Sequence, residues 1–185
     1  MLLGVARLVN FGHGQMYMLG AFVTWFAISG LGLPYVLAIP VAIGAGILVG
    51  LVLQRVMLKA TIDQNLVSIM IMTLGFGYVL HGAAALVFGS TGQILDTPLA
   101  QKELAFGDMW LTWQDIAIVV VAIVEFLVLK FVLDRTRIGR LVRMVAEDPK
   151  LAELAGVDIR RVYLAVFAFE GAAVAFAGAM VGPRT

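Results

Sequence analysis

Three ionisable residues stand inside runs that are otherwise apolar: His81, Glu125 and Glu170. A charge at such depth is costly and as a rule faces a bundle interior, where it is neutralised, hydrogen-bonded to a neighbour, or used to relay protons or ions. Just ahead of the first long apolar run, Asn10 and His13 alternate with Gly12 and Gly14. Glycines this close loosen the backbone and leave amides and carbonyls free, which a membrane tolerates only in protected places. Either Asn10, His13 and Gly14 line a translocation pathway, or they make a tight turn in which His13 caps the following helix. Cysteine is absent, which excludes disulfides and thiolate metal sites. No metal-ligand spacing or catalytic constellation is written in the chain, and no GxxxxGK[ST] run marks a phosphate-cradling loop, so ATP hydrolysis has no seat here.

The elements that must hold these groups are membrane helices. The chain has 185 residues, 62% of them hydrophobic and 14% charged, with a mean hydropathy of +1.00. Soluble domains average roughly 45–50% apolar and about 25% charged, and a small soluble core could not bury such a surplus. A spanning helix needs about 20 mostly apolar residues. Five segments qualify, over 16–32, 34–53, 66–89, 114–133 and 162–182. The predicted fold is therefore all-α: one polytopic membrane domain over 1–185 with about five transmembrane helices. The first two are parted only by Gly32-Leu33-Pro34, which predicts a helical hairpin, with one long kinked helix as the alternative. No basic region followed by a short apolar run and a cleavage site opens the chain, so no signal peptide is expected.

Orientation follows from the basic residues. Arg7, Arg55, Lys59, Arg135, Arg137, Arg140, Arg143, Lys150, Arg160 and Arg161 fall on one side if five spans cross, against Lys102 and Arg184 on the other. Lys130, at the inner end of the fourth span, can snorkel. The N-terminus and the loop 134–161 are thus expected in the cytoplasm, and 90–113 outside, with Trp110 and Trp113 as interfacial anchors. A net charge of +1 gives no reason to expect nucleic acid. Two GxxxG pairs, Gly46 with Gly50 and Gly178 with Gly182, predict close helix packing within the bundle.

The loop 134–161 carries two short helices. In the first, Ile138, Leu141, Val142 and Val145 oppose Arg137, Arg140 and Arg143, a basic amphipathic pattern suited to an anionic surface. In the second, Asp148 is a good N-cap, Pro149 suits the first helical position and Gly156 the stop. About two turns are not stable alone in water. Its apolar face, Leu151, Leu154 and Ala155, needs a partner, which is either the chain's own helix ends or another protein.

The stretch from Arg135 to Gly156, continued by Val157-Asp158-Ile159-Arg160-Arg161-Val162, resembles the cytoplasmic loop of ABC-importer permeases. More narrowly, it resembles the branched-chain amino acid permeases of the LivH type. Anchored on Gly156, the general importer motif places Glu-Ala-Ala where this chain has Lys150, Leu151 and Ala152, so Ala152 and Gly156 match and Lys150 and Leu151 depart. Asn10-Phe11-Gly12-His13-Gly14 with Met18-Leu19-Gly20-Ala21, Met72-Thr73-Leu74-Gly75 and Gly182-Pro183 are similar to further family segments. Family members normally have a helix before the Asn-Phe segment and several after the Gly-Pro, so the chain is expected to be partial.

The resemblance implies a permease subunit of an ABC importer for branched-chain or related small amino acids, with amides and urea left open, in a bacterial or archaeal plasma (inner) membrane. It implies ABC ATPase subunits that use the ATP, a second homologous permease subunit and an extracytoplasmic substrate-binding protein. No cofactor is implied on this chain. Asp148, Pro149, Lys150, Leu151, Ala152, Leu154, Ala155 and Gly156 would couple to the ATPase, and Asn10, His13 and Gly14 would meet a zwitterionic amino acid. The alternatives are a stand-alone secondary transporter or channel using Glu125, Glu170 and His81, and a membrane fragment that does not transport.

Overall fold

The computed structural model describes residues 10–60, 66–89, 103–106 and 109–181. Seven helices follow in order: α1 (His13–Ser29), α2 (Tyr35–Ala60), α3 (Leu66–Phe88), α4 (Trp113–Arg135), α5 (Arg137–Glu147), α6 (Pro149–Leu154) and α7 (Ile159–Val181). Between α3 and α4, within the segment read as a loop, β1 (Glu103–Phe106) pairs antiparallel with β2 (Met109–Thr112), Glu103 opposite Thr112 and Phe106 opposite Met109. Runs of four residues are too short for a strand pattern to show in sequence. The helical, polytopic class read from the sequence stands.

Among the described residues, four helices are long and apolar enough to cross a membrane: Tyr35–Val56, Met70–Phe88, Asp115–Arg135 and Ile159–Val181. The first expected span, 16–32, corresponds to α1, which has 17 residues. At 1.5 Å per residue it reaches about 26 Å, short of the roughly 30 Å hydrocarbon core. The break after it makes a hairpin and not one kinked helix. Gly32 takes the left-handed φ of 66° that the turn demands, and Pro34 stands just before α2. Arg7, Lys102, Gly182, Pro183 and Arg184 lie outside the described residues.

Helix α7 is the centre of the bundle, with α1 and α2 packed along it. Glycine makes this possible. Gly46 and Gly171 lie backbone to backbone, Gly50 faces the Phe167 carbonyl, Gly20 faces Ala175, and Gly178 faces the Tyr17 carbonyl. A Cβ at any of these would fall inside 3.0 Å of a neighbouring backbone. Lipid supplies no hydrophobic drive between helices, so this backbone approach provides the dispersion contact that association needs. Gly46, Gly50 and Gly178 thus serve packing within the bundle. Phe88 stacks on Phe22 at 5.4 Å and meets Phe26 edge-on at 5.9 Å, tying the end of α3 to α1.

At one end of the bundle, Leu53 of α2, Val142 and Val145 of α5, Ala152 of α6 and Val162 and Val166 of α7 share a core. Helix α4 is different, since none of its described residues is buried. Its C-terminal end is seated by Gly139 of α5, whose missing Cβ would strike the Val132 and Leu133 carbonyls. That seat fixes the roll of α5. It buries Gly139, Val142 and Val145, while Ile138 and Leu141, expected on the same apolar face, stay exposed beside Arg137 and Arg140.

Candidate functional site

The Asn10–Gly14 turn is locally wired. The Asn10 side chain accepts a hydrogen bond from the Gly12 amide at 2.8 Å, an Asx-type turn that ends where α1 begins. The Phe11 amide donates to the Thr73 hydroxyl at 3.2 Å, and that hydroxyl donates to the Met70 carbonyl at 2.9 Å. Thr73 is wholly buried. It belongs to the Met72–Gly75 motif, whose part in holding this turn the sequence did not disclose.

From the turn, two side chains reach one carboxylate. His13 Nδ1 lies 2.9 Å from Glu170 Oε1, and Asn10 Nδ2 donates to the same oxygen at 3.2 Å. Glu170 is only 3% exposed and is the central residue of α7. The start of α1 therefore stands level with the middle of the longest-buried helix. A helix that begins at such depth exposes its first amides inside the bundle, where its positive end favours a carboxylate. Asn10, His13 and Glu170 thus form one cluster across 160 positions of chain.

Glu170 Oε2 is buried with no hydrogen-bond partner among the described residues, and so is Glu125 Oε1. Each such oxygen costs about 1–3 kcal/mol relative to a satisfied one. Both glutamates, with His13, line a cavity of about 480 Å³ between α4 and α7, walled by apolar side chains such as Ile43, Leu129 and Phe176. Gly14 leaves open space where a side chain would stand. His81 is exposed on α3 and does not line this cavity. Gln15 and Gln54 also carry buried, unpartnered amide atoms, and neither was singled out from the sequence. Gln54 follows directly on an apolar run and reads as the start of a loop, although the helix continues to Ala60.

At the shared end of the bundle, α6 is built as its residues demand. Asp148 accepts from the Lys150 and Leu151 amides at 2.8 and 3.1 Å, and Pro149 opens the helix. Gly156 closes it at φ 81°, with its amide on Glu153 and that of Val157 on Ala152. Ala152 is buried against the bundle, whereas Leu151 is 64% and Leu154 84% exposed, and Ala155 is exposed with them. Among the described residues, the chain's own helix ends cover none of the Leu151, Leu154 and Ala155 face; they bury Ala152 beside it. Lys150 is exposed as well. Among the described residues, no three His, Cys, Asp or Glu side chains lie where they could hold a metal ion.

A multi-helix apolar bundle with polar groups gathered at its middle and an exposed helix stub at one end is the build of a multi-pass membrane protein. The chain belongs to the family described as branched-chain amino acid transport system / permease component, whose model matches residues 1–185. It is 27% identical to the high-affinity branched-chain amino acid transport system permease protein BraD of Pseudomonas aeruginosa over 98% of its own length and 63% of that protein's. It is 25% identical to the corresponding LivH protein of Escherichia coli over the same shares. A shorter stretch, 35% of the chain and 18% of the relative, is 40% identical to the fructose import permease protein FrcC of Rhizobium meliloti. The chain thus spans less than two thirds of the curated branched-chain permeases it matches. No solved structure matches it.

Proposed function

We propose that the chain is a membrane-spanning subunit of an ABC importer that moves branched-chain or related small amino acids into the cytoplasm, driven by separate ATPase subunits. The observation that carries this is the α6 face: Leu151 and Leu154 project from a six-residue helix that cannot stand alone, and none of the described residues covers them. Two exposed leucines on a capped stub are the anchors of a helix-in-groove contact, and the occupant of that role is the ATPase. The names of the branched-chain relatives support the cargo, while the fructose permease shows that related frameworks carry other solutes.

The remaining roles follow from this reading. A second homologous permease completes the pore, an extracytoplasmic binding protein delivers substrate, and α5, α6 and the end of α2 face the cytoplasm of a plasma (inner) membrane. The core they share supports this sidedness, together with the basic residues these segments carry. Asn10, His13 and Gly14 line the pathway at its middle, beside Glu170. A stand-alone secondary transporter remains the second reading, supported by Glu125 and Glu170 in one cavity, but His81 stands apart from them. The test is Leu154→Glu, which alters an exposed side chain and leaves the fold intact. It is expected to abolish co-purification of the ATPase and substrate-stimulated ATP hydrolysis. Unchanged coupling in Leu154→Glu and in Gly156→Trp alike refutes the assignment.

A further inference from the structure

The cavity between α4 and α7 combines features that a packing defect does not need. Its walls are hydrocarbon, yet two carboxylates stand in them, one from each side: Glu125 on α4 and Glu170 on α7. Each keeps an oxygen without a partner. The Glu170 side chain is 2% exposed and its other oxygen is already fixed by Asn10 and His13, so the vacant oxygen is held in a set direction and not swept about by solvent.

The chemistry that satisfies such a wall is a small cation carrying hydrocarbon. A bare metal ion is a poor fit, because hard cations require six or more oxygen ligands and the described residues hold no cluster to supply them. A primary ammonium offers three N–H donors, enough for two carboxylate oxygens. The volume of about 480 Å³ falls within the roughly 300–1,000 Å³ of small-molecule sites. Resting on the importer reading above, we infer that this cavity binds the ammonium end of a small aliphatic amino acid, with Glu170 and Glu125 as its acceptors. The aliphatic side chain lies against Ile43, Leu129 and Phe176, and the substrate carboxylate points toward the amide end of α1 beside Gly14. Both oxygens are buried in this structure, and small turns about the broad terminal carboxyl torsion bring them to the ligand without backbone movement.

The test measures binding of leucine, of isoamylamine (leucine without its carboxylate) and of isocaproate (leucine without its ammonium) to the full chain, with the subunits that co-purify, in lipid nanodiscs. Glu170→Gln is expected to weaken leucine and isoamylamine by at least about tenfold, the loss of one charged hydrogen bond, and to leave isocaproate within about twofold. Ala122→Phe, an exposed residue on the α4 wall, leaves the Glu170 cluster untouched and is expected to lower leucine affinity more than alanine affinity. Should Glu170→Gln fail to fold, Glu125→Gln and Ala122→Phe decide the matter with the same ligands. Wild-type protein that binds isocaproate as tightly as leucine, or variants that weaken all ligands alike, overturns the site. Retention of the ATPase is read on the same preparation. Loss of amine selectivity with the ATPase still bound therefore sinks this site and leaves the importer reading in place.

Discussion

Gly171→Ala adds one methyl group where there is no room for it. The new Cβ would meet the Gly46 carbonyl and lie 3.4 Å from the Gly50 Cα. Both neighbours are main chain, so no rotamer change gives relief, and α2 must back away from α7 by about an ångström. That displacement also separates Gly50 from Phe167 and Ala175 from Gly46, since the contacts follow one line. Overpacking against rigid surroundings costs about 1–3 kcal/mol. For a chain of this size each kcal/mol moves Tm by about 2–4 °C, so a fall of roughly 2–12 °C is expected. The assay is thermal unfolding of the purified protein in one detergent at a fixed scan rate, because membrane proteins of this kind unfold irreversibly. Gly82→Ala is the control. It lies in a helix with nothing within 4 Å of the added methyl, and relief from glycine's helix penalty of about 0.5–1 kcal/mol leaves Tm level or higher. Equal melting of Gly171→Ala and Gly82→Ala would show that close backbone approach does not hold α2 to α7.

Thr136→Ala removes the acceptor of the Gly139 amide at 3.1 Å and should cost about 1 kcal/mol, seen as faster amide exchange in the first turn of α5 and no change at Glu170. Asp148→Ala strips two amide contacts from α6 and should raise exchange across Pro149–Leu154 several-fold, with ATPase affinity falling in step. Gly156→Ala forces a side chain into φ 81° at about 1–2 kcal/mol, so it should weaken ATPase coupling less than Gly156→Trp does. Thr73→Val keeps the volume but leaves the Phe11 amide without its acceptor, at about 1–3 kcal/mol, and should speed proteolysis or exchange around Asn10–Gly14 while α5 and α6 stay unaffected.

Long apolar runs made α2, α3, α4 and α7 legible, because nothing but a bilayer accounts for 20 such residues in a row. Helix α6 was legible almost to the residue, since Asp148, Pro149 and Gly156 each do something that few other residues do at a helix end. Legibility failed where one polar residue interrupts an apolar run without ending the helix, as at Gln54. It failed again where a glycine's fit against carbonyls, not the hydrophobic pattern, sets a helix roll, as at Gly139. The residues of the central cluster could each be named from sequence, but not their meeting. Periodicity tells which face of a helix is apolar and is silent on which helix lies opposite, so the Asn10–Glu170 pairing had no signal in a single chain.

The main-chain clasp along α2 and α7 also has a mechanical meaning. Contacts between bare backbones have almost no slack, so those two helices translate as one beam. Ala152 joins that pair through the core it shares with Val162 and Val166, on the same helix as Glu170. Helix α4, held mainly at its tip by Gly139, does not share the stiffness. The two walls of the cavity thus belong to parts packed to unequal tightness, α7 clasped along its length and α4 seated at its end.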